Sequence, residues 1–304
     1  VNHAAAMIGA GYADVMVVGG MESYSTLLAE FDMNVPPYKL IPPIPLAPHL
    51  APTKEEDIDM IHVSDGMAKK WNVSRSECDE YALRSQQRLQ KAYERGITGS
   101  EIIPYTIPAT RKTPEVVIDK DEFPRPSTTL EGLAKLRSVL PEGVTTAGNA
   151  SGRNDGAAFL LMMSADKAKE LGYEPLARWV MGADVGVAPH EMGIGPAFSN
   201  LKAMKLAGLE VSDFDVFECN EAFAAQNLSV IREMETQSGT TIDQEKWNPN
   251  GGAISIGHPN GASGARIAMF AMRELIRTSG RYGLFSSCCG GGHGTTTIIE
   301  NLKR

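Results

Sequence analysis

The stretch Asn248–Arg266 reads NPNGGAISIGHPNGASGAR, with His258 at its middle. Gly251, Gly252, Gly257, Gly261 and Gly264 release the backbone, and Pro259 fixes the residue after the histidine, so the imidazole is mounted in a tight loop rather than a flexible tail. From Ala262, small residues followed by apolar ones at helical spacing predict a helix through about Thr278. The loop is therefore a junction into a helix, where outward-pointing N–H groups favour developing negative charge. A histidine in such a loop also fits a hydrogen-bonded surface group, so its reading depends on two further segments.

The first is FECNEAFAAQ, Phe217–Gln226. An apolar strand-like run gives way to an alanine-rich helix, which sets Asn220 and Glu221 at the carboxyl end of a strand, where open α/β sheets place their ligands. Asn220 also fits a plain helix N-cap. The second is LFSSCCGGGHGTTT, Leu284–Thr297, in which Cys288 and Cys289 end a strand and meet three glycines. Neighbouring strand residues point to opposite faces, so one thiol of the two faces a site. The plain alternative is a glycine hairpin with both cysteines buried as small hydrophobes. A metal on Cys288, Cys289, His293 and His258 finds no CxxC or HxxxH spacing in its favour, and none is expected.

Composition narrows the class. With 304 residues, 42% hydrophobic content and 30 glycines, the chain suits a two-domain α/β protein with many tight turns. No run approaches the roughly 18 apolar residues of a membrane helix, so a soluble protein without membrane contact is expected. A net charge of −8 argues against general nucleic-acid binding but leaves room for an anionic cofactor held by local Arg and Lys. Four cysteines without a framework spacing fit an intracellular, reducing compartment.

Five segments in order resemble the thiolases. Asn220-Glu221-Ala222-Phe223 stands as the NEAF motif, Gly257-His258-Pro259 as GHP, and Cys288-Cys289-Gly290-Gly291-Gly292 as CxGxG. Gly19-Gly20-Met21-Glu22-Ser23 and Thr146–Gly152, continuing from Asn154 to Ala158, are similar to two further family segments. The resemblance covers nearly the whole chain. It implies an α/β fold of two βα-rich halves packed as α-β-α-β-α layers, with an inserted loop domain. On that basis residues 1–25 and 141–170 form a partial N-terminal thiolase domain, 26–140 the loop domain that lies over the substrate and holds coenzyme A, and 171–304 the C-terminal domain.

Along the chain, helix 2–11 closes on Gly9 and Gly11, and strand 13–18 ends at Gly19-Gly20. Seven prolines between 36 and 52 exclude regular structure. Helices follow from Met60 to Trp71 and, capped by Ser74 before Glu77, to about Tyr93, then strands at 102–107 and 116–118. Strand 157–163 and helix 167–172 lead to strand 176–183, helix 195–207, strand 215–219, helices 221–235 and 263–278, and strands 282–287 and 295–300. Cys78 sits among charged residues in an apparent surface helix.

The resemblance implies roles. Cys288 would be the acid/base at acetyl-CoA, a task suited to a thiol whose pKa of about 8.5 can be lowered locally. His258 would lower the nucleophile's pKa and donate to a thioester oxygen. Asn220 would hold a water that completes this oxyanion hole, and the N–H of Gly290 would serve a second one. Cys289, at the variable position, is expected in the core, and Glu221 orients neighbours. Ser151 would contact the pantetheine arm and Arg125 the adenine nucleotide; spacing alone leaves Ser151 as a turn residue and Arg125 as a solvated charge. Asp59-Met60 stands where members acting on short acetoacetyl groups often carry His-Met, which makes Met60 a substrate contact and leaves chain length open. Ile61, Ser64 and Asp65 also depart from the family pattern.

The nucleophilic cysteine of thiolases would fall before Val1, and the chain is expected to be N-terminally incomplete and inactive alone. The implied function is acyl transfer between CoA thioesters: reversible thiolysis of 3-ketoacyl-CoA, or Claisen condensation of acetyl-CoA, in lipid or fatty-acid metabolism. Coenzyme A and acetyl-CoA enter as substrates, with no permanently bound cofactor. A homodimer or homotetramer in the cytoplasm or mitochondrial matrix is expected. The alternative is a non-catalytic thiolase-like CoA-binding or structural subunit. Ketoacyl synthases, which use two histidines or His and Asn, fit less well, because the second position here is Cys288.

Overall fold

The computed structural model describes residues 1–28, 31–32, 44–45 and 49–304. Helix α1 (Asn2–Gly9) leads into β1 (Val15–Glu22), followed by the short pair β2 (Phe31–Asp32) and β3 (Ile44–Pro45). Then come α2 (Met60–Lys70), α3 (Arg75–Glu94), a small hairpin of β4 (Tyr105–Ile107) and β5 (Val116–Ile118), and α4 (Leu130–Ala134). Strand β6 (Gly156–Met163) and α5 (Ala165–Glu170) return to the first half. The second half runs β7 (Ala177–Gly186), α6 (Gly195–Ala207), β8 (Phe214–Cys219), α7 (Ala224–Ser238), α8 (Ala253–Ile256), α9 (Asn260–Thr278), β9 (Tyr282–Cys289) and β10 (His293–Asn301).

Two sheets sandwich α9. On one side β1 and β6 pair antiparallel from Val15–Met163 to Glu22–Gly156. On the other stands a four-stranded sheet in the order β7-β10-β9-β8, antiparallel except where β8 and β9 run parallel. Val216, Phe285 and Ile299 of this sheet meet Ile267, Ala268, Ala271 and Leu275 of α9 in one apolar cluster. A larger cluster on the opposite face joins Phe214, Phe217 and Leu284 to Ala197 and Met204 of α6, Val230 and Met234 of α7, and Met67 of α2. The described residues thus stack sheet, helix, sheet and helix. The outer face of the first sheet exposes Val17, Met21, Phe159 and Leu161.

Several boundaries differ from the sequence reading. Strand β1 does not stop at Gly19-Gly20 but pairs through to Glu22, because β6 supplies ladder partners for both glycines. Helix α7 starts at Ala224, three residues later than expected, with Phe223 at its N-cap. The proline-rich segment 36–52 lies largely outside the described residues. The capping box of α3 matches expectation, with Ser74 accepting from Glu77 N–H and Glu77 accepting from Ser74 N–H. Cys78, by contrast, is buried with Tyr81 and Ala82 in the larger cluster, and the charged residue that follows it, Asp79, is buried as well, accepting from Arg75 Nε and Asn149 Nδ2. No helix of the described residues is long and apolar enough to cross a membrane.

Helix α6 approaches β10 through two glycines. A Cβ on Gly294 would stand 2.3 Å from the carbonyl carbon of Gly195, with backbone on both sides. Gly294→Ala is therefore expected to destabilise by about 2 kcal/mol or more through overpacking, while Gly9→Ala, whose Cβ meets nothing, is expected to be neutral or stabilising. Urea denaturation of both variants checks the difference.

Candidate active site

The carboxyl ends of β8 and β9 and the loop before α9 form one hollow. Cys219, the last residue of β8, pairs with Ser286, and the N–H of Asn220 donates to the Ser286 carbonyl at 3.0 Å. Cys288 stands two residues further along β9, an advance of roughly 6–7 Å, on the wall beyond the point where Asn220 leaves the sheet. Beyond it Gly290, Gly291 and Gly292 turn the chain into β10. Leu50 lies over this turn; a Cβ on Gly290 would meet its Cδ2 at 2.8 Å.

Asn220 does not cap a helix. Its side-chain amide lies 3.2 Å from His258 Nε2 and is buried, and its Oδ1 has no protein partner. The other ring nitrogen, Nδ1, sits 2.6 Å from Ser263 Oγ, which also lies 3.0 Å from the Pro259 carbonyl. Two proton placements satisfy these contacts. In one, Nδ1–H donates to Ser263 Oγ, whose proton goes to Pro259, and Nε2 accepts from Asn220. In the other, Ser263 donates to Nδ1 and Nε2–H faces the hollow, with the Asn220 amide turned so that its oxygen accepts.

The loop holding His258 is fixed from both sides. Its N–H donates to the Gly152 carbonyl at 3.1 Å and to Asn154 Oδ1 at 3.2 Å. Gly257 adopts φ +103, and any Cβ there would strike Asn154 Oδ1 at 2.3 Å, so the position demands glycine. Upstream, Glu221 gathers the structure. Its carboxylate accepts from Ser85 Oγ at 2.7 Å, Ile254 N–H at 3.2 Å, and both Tyr81 Oη–H and Asn248 Nδ2 at 3.1 Å. Gly252 leaves room for it, since a Cβ would stand 2.5 Å from the Glu221 Cδ.

Of the residues singled out from sequence, Asn220 and His258 are in contact, and Cys288 and Gly290 stand on the neighbouring strand end. Ser151 joins them through its N–H, which donates to the Ala222 carbonyl at 3.0 Å. Arg125 is exposed, with its guanidinium over the Phe123 ring, and that ring packs where a Cβ on Gly152 would be. Met60 opens α2 and packs against the larger core cluster rather than against these groups. Cys289 is not in the core as expected but exposed, because it falls on the outward side of the hairpin end. Sequence reasoning passed over Ser263, Tyr81, Ser85 and Asn248, whose contacts come from distant elements. It also passed over Arg153, the residue between Gly152 and Asn154, which pairs with His258.

Burial sets the electrostatics. It pushes the Cys288 thiol up to about 12, with the neighbouring Cys289 adding to the rise, so the lowering expected from sequence does not occur among these groups. Burial, and then the Arg266 guanidinium, hold His258 down at about 4. At neutral pH the His258 imidazole is thus neutral and the Cys288 thiol protonated.

The family profile described as thiolase, N-terminal domain, matches residues 1–166, and that described as thiolase, C-terminal domain, matches 173–301. The chain belongs to the thiolase family. A beta-ketoadipyl-CoA thiolase of Pseudomonas aeruginosa is 46% identical over 80% of this chain and 59% of its own length. The chain thus aligns with less than two thirds of that thiolase. The 3-oxoadipyl-CoA/3-oxo-5,6-dehydrosuberyl-CoA thiolase of Escherichia coli K12 is 40% identical over 98% of this chain and 75% of its own. The solved structure of human mitochondrial 3-ketoacyl-CoA thiolase in complex with CoA superposes with a TM-score of 0.85 at 36% identity, covering 98% of this chain and 74% of that one. The fold is accordingly the α/β thiolase fold.

His258 is expected to titrate near 4 rather than at its ordinary value of about 6.5. A ring whose folded pKa is depressed withholds a proton that the unfolded chain accepts, so stability falls as pH drops from about 6.5 towards 4 and is fully present above that window. Heteronuclear NMR of the imidazole measures the midpoint; a value at or above 6.5 contradicts the burial argument.

Proposed function

We propose that this thiolase carries the proton-transfer and oxyanion machinery for reversible thiolysis of 3-ketoacyl-CoA and, in reverse, Claisen condensation of acetyl-CoA. The contact between Asn220 and His258 beside Cys288 is the observation that carries this reading. In its thiolate form Cys288 takes a proton from the carbon alpha to the thioester; the resulting enolate attacks the carbonyl of a second acyl thioester, a carbon–carbon bond forms, the carbon–sulfur bond of that thioester breaks, and the departing thiolate takes the proton held by Cys288. The Nε2–H form of His258 donates to the thioester oxygen. The unpartnered Asn220 Oδ1, or the amide nitrogen in the turned arrangement, orients a water at the same oxygen. Gly290 N–H serves the second oxyanion. Ser151 supports the pantetheine arm and Arg125 the nucleotide, consistent with the CoA held by the human structure named above, while Met60, packed on the core cluster, takes no part in this reading.

The acyl-carrying thiol is not among these four cysteines. Cys78 and Cys219 are buried with thiols pushed up to about 12 by that burial. Cys288 cannot act as carrier and base together, and Cys289 lies on the exposed hairpin end. Burial holds Cys288 high and His258 low, which also favours a second reading: a thiolase-like subunit that binds CoA thioesters without turning them over.

Acetyl-CoA incubated with the 304-residue chain in deuterated buffer separates the two. We expect methyl-proton exchange that falls about 100-fold or more in Cys288→Ala, with no acetyl adduct by intact mass and no complete turnover. Binding without exchange supports the non-catalytic reading, and robust turnover by the chain contradicts the assignment of Cys288.

A further inference from the structure

The ring of His258 is gripped by two elements. Asn220, at the exit of β8, lies against Nε2, and Ser263, in the first turn of α9, lies against Nδ1. The spacing of β8 and α9 therefore decides whether both contacts form at once. One step back from the ring, each element carries a buried polar side chain that no hydrogen bond accounts for. On β8 it is Glu218, two residues before Asn220 and 1% exposed. Strand alternation puts it on the same face as Val216, which packs on α9. On α9 it is Arg266, one turn beyond Ser263 and 9% exposed, with its guanidinium carbon 5.1 Å from the centroid of the Phe270 ring. Among the described residues Glu218 Oε1 and all three guanidinium nitrogens of Arg266 are buried without a hydrogen-bond partner.

Each of these two side chains is the strongest opposite charge acting on the other. Burial pushes the Glu218 carboxyl well up, and Arg266 opposes that rise more than any other neighbour; Glu218 in turn is the acid with the largest effect on Arg266. The remaining charges nearby are engaged elsewhere. Glu221 accepts from Ser85, Asn248 and Ile254, Asp121 accepts from Tyr93 Oη at 2.9 Å, and Arg88 donates to the carbonyls of Trp247 and Gln244. Glu101 feels Arg273 and Arg277, further along α9, more than it feels Arg266. A guanidinium stays charged in a protein, and a buried donor without an acceptor costs free energy, so Arg266 and Glu218 call for a shared partner. A water supplies one, accepting from the guanidinium and donating to the carboxylate.

We propose that Glu218 and Arg266 form a water-bridged link between β8 and α9 that positions Asn220 and Ser263 on the two nitrogens of His258. Both are positioning residues, acting through Asn220 and Ser263 rather than on a substrate. Glu218 lies one pleat, roughly 6–7 Å, behind Asn220, and Arg266 shares a helix face with Ser263, so a shift at the link is passed to the ring within one step on either side. The link itself does not need the acyl-transfer reading, whereas its bearing on proton transfer rests on that reading.

The test uses the 304-residue chain and no acyl-CoA. Urea unfolding is measured for Glu218→Met, Arg266→Met and the double variant, and the His258 imidazole is titrated by NMR in each. Removing one side leaves the other buried alone, so the effects are expected to be coupled: the change in the unfolding constant of the double variant falls about tenfold or more short of the product of the two single changes. The His258 midpoint is expected to rise above about 4 in both single variants and to stay raised in the double, where stability has partly returned. Independent effects on stability overturn the link. A midpoint that rises in Arg266→Met alone, through loss of a neighbouring charge, overturns the positioning role, and so does one that follows stability back to about 4 in the double variant. If a methionine variant fails to fold, Glu218→Gln and Arg266→Gln run the same cycle and are read in the same way. A crystal structure of the native chain is expected to show a water in hydrogen-bond reach of both Glu218 Oε1 and a guanidinium nitrogen of Arg266; no water in reach of both overturns the bridge.

Discussion

The buried carboxylate of Glu221 is the constraint on which the hollow depends. Its four donors come from α3, from the loop before α8 and from α8 itself, so one side chain ties three remote parts of the chain to the exit of β8. Desolvating a carboxylate is costly unless donors replace its lost water; here Ser85, Asn248 and Ile254 donate, and Tyr81 divides its one proton between Glu221 and Asn227 Oδ1. Asn248 adds to the tie: it takes a positive φ, accepts from Cys219 N–H at 2.8 Å and donates to the Cys219 carbonyl at 2.8 Å. With both ends of the 248–256 loop held in this way, His258 has little choice of position.

Above that foundation the site is built by juxtaposed strand ends. The parallel step from β8 to β9 brings Asn220 level with Ser286, and the glycine turn carries the chain past Cys288 and back. Segment 151–154 threads between the Ala222 carbonyl and the His258 N–H, closing the hollow from the first half of the chain. Such rigid mounting is what preorganised oxyanion stabilisation requires, because donors that are already fixed need no reorganisation when charge appears. The same enclosure keeps both the imidazole and the thiol uncharged, so an incoming thioester or thiolate, rather than a resident charge, sets the polarity of the site.

Much of this was legible in the sequence. The motif strings marked the three chemical groups, the Ser74–Glu77 spacing marked the cap of α3, and apolar runs located the strands of the second half. Asn220 illustrates the limit: sequence allows a cap or an active-site amide, and only the delayed start of α7 at Ala224 separates them. Cys78 and Cys289 were misplaced for the same reason, since burial of a small side chain depends on what packs from elsewhere and leaves no periodic signal. The donors to Glu221 were equally invisible, although Tyr81 and Ser85, four residues apart on α3, share the face that meets it. The direction of the Cys288 shift required knowing what packs around that one thiol, since the next residue on the same hairpin, Cys289, is exposed.

The central claim is tested most directly by Glu221→Gln, which keeps the shape of the side chain and sets an amide nitrogen against hydrogen-bond donors. The account predicts a loss of about 2–4 kcal/mol in urea unfolding, together with a His258 titration that moves from about 4 back towards its ordinary range as the loop loosens. A variant with native stability and an unmoved histidine would contradict it.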